Sequence, residues 1–178
     1  MRAALVTAAI GLMREGGAAT LTVRNITSRA GCSTTGIYTY FGGKQGLVEA
    51  IFVEGFESFD RAVDPYLQAG DMPNAGHAYR RWALTNPIHY MVMFGGAVPD
   101  FQPSEAARHR ARSSFFALAE TVKRMYGADD HLPRAYHFFA TIHGYVMLEL
   151  VGMAAPFGTI AVDQLYESAL GSLTATPA

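Results

Sequence analysis

Apolar residues recur at helical spacing along almost the whole chain, and no stretch of useful length alternates with the two-residue period of a strand. Leu5, Ala9, Leu12 and Met13 predict a first helix, closed by Gly16-Gly17. Thr22 is placed to cap a short second helix over 23–30, with Ile26 and Ala30 inward and Gly31 ending it in a left-handed conformation. Ser33 or Thr34 is placed to cap a third short helix through Tyr40, broken by Gly42-Gly43. A long helix follows from Lys44, with Leu47, Ile51, Phe52, Phe56 and Phe59 on one face and Pro65 near its end. Further helices are expected over about 74–86, 87–94, 104–126, 133–154 and 161–173, with Pro87 and Pro133 opening theirs and Ser104 as a cap. The expected fold is all-α, about nine helices with no sheet.

Two of these helices predict more than their own existence. The helix over 133–154 is apolar nearly all round. It carries Tyr136, Phe139, Ala140, His143, Met147, Leu150 and Val151 on one side and Phe138, Ile142, Tyr145 and Gly152 on another. Such a helix is buried on both sides. One side suits the chain's own core and any pocket, the other a second subunit. With the last helix this predicts a four-helix seam in a homodimer, carried by Tyr145, Gly152, Leu165, Ala169 and Leu170.

Half of the 178 residues are apolar and 16% are charged, which is enough apolar material for a sizeable core and excludes a disordered chain. The net charge of −1 excludes a polycation, but the charge is uneven. Residues 1–50 hold five basic and two acidic groups, while the remainder holds nine basic and thirteen acidic ones. A small basic module on an acidic body suits a nucleic-acid binder with a second function, as it also suits an ordinary soluble protein. The apolar stretch from His137 to Phe157 is interrupted by His143 and Glu149, which excludes a membrane span. No signal segment opens the chain, so a cytoplasmic location is expected. The single cysteine, Cys32, excludes an intramolecular disulfide and a multi-cysteine zinc site, and reads as a packed residue.

Residues 22–47, TVRNITSRAGCSTTGIYTYFGGKQGL, are the most informative. They read as two short helices joined by a tight turn at Gly31. Ser33, Thr34, Thr35 and Thr39 are short enough to let the second helix sit deep in a major groove about 12 Å wide. Ile37 and Phe41 point back onto the support. Tyr38, with its ring packed, and Tyr40 place hydroxyls at the rim. Lys44 opens the next helix, where its charge and the free N–H groups can share one phosphate.

This stretch resembles the tetracycline-repressor-like transcriptional regulators. Over about residues 3–52 the resemblance is carried by Ala8-Ala9, Gly16, Thr22-Val23-Arg24, Ile26, Ala30-Gly31, Ser33, Ile37-Tyr38, Tyr40-Phe41, Lys44 and Leu47. It implies a helix-turn-helix module over 1–46 and a ligand-binding and dimerisation domain over 47–178. It implies double-stranded operator DNA as a partner, with Thr34, Thr35, Gly36 and Thr39 facing bases or backbone and Arg24 reaching DNA beside Thr22 and Ser33. Tyr38, Tyr40 and Lys44 would hold phosphates. The chain departs from the pattern twice. It begins almost at the first helix, where many members have a basic arm, and Thr27 and Cys32 replace the usual packing residues.

Residues 80–155 resemble the ligand-binding half of one subgroup, through Trp82 with ALTNPIHYMVMF and through TIHGYVMLELVGM. This implies a small-molecule ligand bound between helices. The candidate lining is Trp82, Tyr90, Met93, Phe94, Phe101, Phe115, Phe116, Phe139, His143 and Met147, which suits an adaptable, mainly hydrophobic effector. The same aromatic and Met stripes also read as ordinary core. Glu149 reads as a structural hydrogen-bonding group.

Enzyme readings fail on their motifs. GGKQG lacks the first glycine of a phosphate loop, where Tyr38 stands, and has Gln45 in place of Ser or Thr. GCSTTG has Thr35 where a serine elbow needs glycine. The six histidines, at 77, 89, 109, 131, 137 and 143, include no pair at i, i+3 or i+4, so no helical metal site and no cofactor are expected. The function this predicts is a ligand-responsive DNA-binding regulator, a repressor released from a palindromic operator by its inducer. The alternative is a helical carrier or enzyme that keeps the module as scaffold.

Overall fold

A computed structural model describes residues 1–154 and 161–174. Among these residues there are nine α-helices and no strand: α1 (Arg2–Gly16), α2 (Val23–Ala30), α3 (Thr35–Phe41), α4 (Lys44–Ala69), α5 (Met72–Thr85), α6 (Pro87–Met93), α7 (Glu105–Tyr126), α8 (His131–Leu150) and α9 (Val162–Thr174). The end of the apolar stretch at Phe157 lies outside the described residues. No described helix is long and apolar enough to cross a membrane.

The helices pack as two units. One comprises Met1–Ser58 and Asn86–Ala111, and the other Phe59–Thr85 with the described residues from Arg112 onward. These packing units do not follow the division at residue 46 that the resemblance implies.

The first unit holds α1 to α3, the start of α4, and α6. Its core is Leu5, Ala9, Ile26, Ile37, Leu47, Val48 and Ile51, all fully buried. An ion pair joins α1 to α2, with Arg29 Nη1 and Nη2 at 2.7 and 2.5 Å from the Glu15 carboxylate. Thr27, an apparent misfit, is buried and satisfied, because its hydroxyl donates to the Val23 carbonyl at 2.9 Å. A loop after α6 is tied to α4: Ser104 donates to Glu49 through its N–H at 2.8 Å and its hydroxyl at 2.9 Å.

The second unit packs α5 against α8 and α9. The side of α8 turned to this core carries Ala135, Phe138, Ile142 and Val146, each nearly without exposure. Of the two apolar sides expected for this helix, the one carrying Phe138 and Ile142 is therefore the side turned to the core. The exposed side is instead Tyr136, Ala140, Leu148 and Val151. Leu170, expected between subunits, is packed inside the single chain instead. It is 2% exposed within the single chain, with its Cδ atoms against Gly76 of α5. Leu165 and Ala169 are half-buried, and Gly152 is exposed. Tyr145 is half-buried, its ring edge-on to Tyr166 at 5.9 Å.

Several boundaries moved for identifiable reasons. α5 begins at Met72 because Asp71 Oδ1 accepts the Asn74 N–H at 3.1 Å, and Pro73 is tolerated in a first turn that needs no donor there. α8 ends at Leu150, short of Ala154. Gly152 turns left-handed at φ 73°, and the Met153 N–H closes back on the Leu148 carbonyl at 2.8 Å.

Candidate functional site

The N-terminal module is built from its caps. Thr22 Oγ1 accepts the Asn25 N–H at 3.1 Å, and the Asn25 amide donates to the Thr20 carbonyl at 2.9 Å, so the entry to α2 is held on both sides. Gly31, at φ 67°, turns the chain toward α3. The expected side-chain cap on α3 is not made. Thr34 occupies the cap position in a helical conformation, and the carbonyls of Ser33 and Thr34 accept the Gly36 and Ile37 N–H groups instead. Both hydroxyl side chains therefore keep their hydrogen-bonding capacity for something outside the helix.

Ile37 is the inward anchor of α3, with no exposure, while Ser33, Thr34, Thr35, Thr39, Tyr38 and Tyr40 are all exposed. Tyr38 differs from expectation. Its ring is not packed but 60% exposed, with Cε1 3.9 Å from where a Cβ on Gly43 would stand. Phe41 is half-buried, with the Arg2 guanidinium 5.2 Å from its ring centre. Thr22 and Arg24 are exposed, Gly36 and Lys44 half-buried. Gly46 went unnoticed in the sequence. A Cβ there would collide with the Phe41 carbonyl oxygen, so only glycine lets the first turn of α4 lie over the end of α3. Lys44 opens that first turn, directly after the glycine pair that ends α3.

The expected effector-lining residues divide between the two packing units. In the first, Tyr90, Phe94 and Phe101 belong to an aromatic group completed by Phe52 and Phe56, and Met93 is buried on α6 against Gly55. The ring centres lie 5.0 Å apart for Tyr90–Phe94, 5.6 Å for Phe56–Phe94 and 5.9 Å for Phe52–Phe101. In the second, the rings form a chain. Trp82 meets Phe59 at 5.3 Å, Phe59 meets Tyr79 at 5.2 Å, and the Tyr79 hydroxyl lies 3.2 Å from His143 Nδ1. His143 then stacks on Phe139 at 5.4 Å, and Phe139 meets Phe115 at 6.3 Å. Phe59 and Tyr79 are the links that sequence reasoning missed, although Phe59 was legible as a core position. Met147 is half-buried, whereas Phe116 is 54% exposed and turned to solvent. Burial holds His143 below the ordinary histidine range, so it is neutral near pH 7 and can accept from the Tyr79 phenol.

Glu149 is structural, as expected. Arg80 binds it with Nε at 2.6 Å and Nη2 at 2.8 Å, and Nη2 also reaches Asp163 at 2.6 Å. These charge-assisted bonds raise the Arg80 pKa further. The guanidinium stacks 5.0 Å from the Tyr166 ring centre, and the buried Tyr166 hydroxyl donates to the Gly76 carbonyl at 2.7 Å.

A short capped helix, a left-handed glycine turn and a second helix with one apolar anchor and an exposed polar face define a helix-turn-helix protein. Residues 5–51 match the family described as bacterial regulatory proteins, tetR family, and residues 72–173 match tetracyclin repressor-like, C-terminal domain. The chain belongs to this tetracycline-repressor family. It is similar to the HTH-type transcriptional regulators Rv1816 of Mycobacterium tuberculosis and Mb1846 of Mycobacterium bovis. Each is 28% identical over 92 residues, which cover 48% of this chain and 39% of theirs. The match thus spans well under half the length of those relatives. Solved structures share the fold. The regulatory protein SCO4313 is 24% identical with a TM-score of 0.85, over 97% of this chain and 94% of that one. The fatty acid degradation regulator FadR from Bacillus halodurans is 14% identical with a TM-score of 0.75, over 97% and 93%. AibR, solved in complex with isovaleryl coenzyme A and operator DNA, is 17% identical with a TM-score of 0.67, over 96% of each chain.

Proposed function

We propose that the chain is a ligand-responsive, DNA-binding transcriptional regulator, not an enzyme. In this reading it works in the cytoplasm as a homodimeric repressor, released from a palindromic operator by a small hydrophobic effector. The observation that carries it is the outer face of α3. Ser33, Thr34, Thr35, Tyr38, Thr39 and Tyr40 are exposed together around a helix held by the buried Ile37. A helix with short polar side chains and a firm apolar anchor is suited to lie in a major groove and exchange hydrogen bonds with base edges. Thr22, Arg24 and Lys44 flank it as phosphate contacts, which position the helix without reading sequence.

The effector half rests on the ring chain from Trp82 to Phe115, where His143 and Tyr79 are the polar members, and on the group around Tyr90, Met93, Phe94 and Phe101. The AibR complex, which pairs an acyl thioester with operator DNA on the same fold, supports a partly apolar effector. The homodimer is assigned to the exposed apolar face of α8 together with α9. Affinity for a palindromic operator, measured as salt is raised, tests the reading. Specific binding that falls steeply with salt and is relieved by an apolar small molecule is the expected result. Ligand binding with no sequence-specific DNA affinity at any salt would leave a carrier instead.

A further inference from the structure

His89 stands on α6, and its Nε2 is buried with no hydrogen-bond partner among the described residues. Buried imidazole nitrogens are ordinarily paired, because the water they give up is otherwise not replaced, and each exception calls for an explanation. The surroundings of His89 are specific. α6 is seated on Gly55 of α4 so closely that a Cβ on Gly55 would stand 2.6 Å from Met93 Sδ and 3.4 Å from His89 Cβ. Met93 is one helical turn from His89 on the same face, and its unbranched thioether side chain is the most adaptable kind of wall. Tyr90 beside it is fully buried, with the Phe94 ring tilted against it at 5.0 Å between centres. Burial holds the His89 ring toward its neutral form, against the opposing pull of the Glu54 carboxylate.

We propose that His89 Nε2 is a recognition point for the effector, making a hydrogen bond to a neutral polar group on a mainly apolar molecule. This rests on the ligand-responsive reading above and adds to it the atom that selects the head group. A ketone, amide or alcohol satisfies a neutral imidazole, whose two tautomers offer either a donor or an acceptor. A carboxylate does not suit the place, because Glu54 repels it and a neutral ring does not compensate its lost hydration. The assignment explains why a polar ring persists among Tyr90, Met93 and Gly55, where an apolar side chain packs at lower cost.

The test has two arms. In the ligand-free protein, His89→Leu removes an unpaired nitrogen, so the melting temperature should rise by about 2–4 °C. A lower melting temperature in His89→Leu, with His89→Gln unchanged, would show that Nε2 serves a structural hydrogen bond and would overturn the proposal. In the second arm, 2-octanone, 1-octanol and octanoate are titrated into the full chain by calorimetry at pH 7.5. The ketone and alcohol should bind at least about tenfold more tightly than octanoate in the parent. That preference should vanish in His89→Leu and survive in part in His89→Gln, which keeps a hydrogen-bonding group. Equal binding of the three probes, or no binding of any, overturns the head-group assignment. The underlying reading is checked separately with operator DNA. If the probes bind with the predicted preference but never alter operator affinity, ligand response fails and His89 stands. If they release the operator equally from parent and His89→Leu, His89 fails and ligand response stands.

Discussion

Arg80 holds Glu149 through two nitrogens, at 2.6 and 2.8 Å, and so ties the middle of α5 to the last turn of α8. The same guanidinium reaches Asp163 in the first turn of α9 and lies over the Tyr166 ring. One side chain thus joins three helices. The partners differ in burial: Glu149 is 13% exposed and Asp163 is 78% exposed. Removing one member of a shielded pair strands the other, whereas an exposed pair contributes little. Arg80→Ala and Glu149→Gln should each lower stability by about 2–3 kcal/mol in urea denaturation, and Asp163→Asn by less than about 1 kcal/mol. Equal effects of Glu149→Gln and Asp163→Asn would show that solvent reaches both pairs alike.

The DNA face separates position from sequence. Lys44→Ala should weaken binding to all operators similarly and reduce the slope of log affinity against log salt by about 0.9, the loss of one phosphate contact. Thr39→Ala should change the ranking of operator variants, by about 1–3 kcal/mol at the affected base pair. If both variants lose affinity uniformly, Thr39 touches only backbone.

Assembly should be probed on α8. Leu170 is packed on Gly76, so Leu170→Glu buries a charge and should unfold the chain rather than release a monomer. Leu148 is 46% exposed on the outer face of α8 and Val151, just past its end, is 52% exposed, and Leu148→Glu should yield a folded monomer with weak operator affinity. Sedimentation and circular dichroism read the two properties independently. A dimeric Leu148→Glu protein would place the seam elsewhere.

Acid should destabilise the fold through its shielded histidines. Burial depresses the pKa of both His89 and His143. Each contribution is fully present above the unfolded value of about 6.5. It is lost as pH falls from there to the folded value, because the unfolded chain binds a proton that the folded chain refuses. Stability measured from pH 7.5 down to 5 should therefore fall, and the fall should be shallower in His89→Leu. An unchanged slope in that variant would mean that His89 charges as freely folded as unfolded.

The N-terminal module was legible because its signals are local. Thr22 caps through its own hydroxyl, Gly31 turns where only a left-handed residue fits, and Leu47, Ile51, Phe52, Phe56 and Phe59 follow one helical face. Residues whose role depends on distant partners were less legible. Leu170 and Leu165 look alike in the sequence, but Gly76 on α5 leaves a recess that the first one fills. Glycine composition says nothing of Gly46, whose need is set by the Phe41 carbonyl. Gly152 falls inside the helix expected over 133–154, because the apolar run around it suggests continuation, whereas it turns left-handed just past the end of α8. The unpaired state of His89 Nε2 has no sequence signature, because pairing is a property of all its neighbours at once.

The separation of roles on α3 bears on how such a protein can change. Its fold is secured by Ile37 within the helix and by Gly31 and Gly46 outside it, while the residues turned outward are exposed. Ser33, Thr34, Thr35 and Thr39 can therefore be exchanged for other helix-compatible side chains at little cost in stability, typically within about 0.5 kcal/mol each. A library varied at those four positions, with the three anchors fixed, should consist largely of folded proteins. Copies of this chain are in that sense free to diverge toward new operators before any change in the core is required.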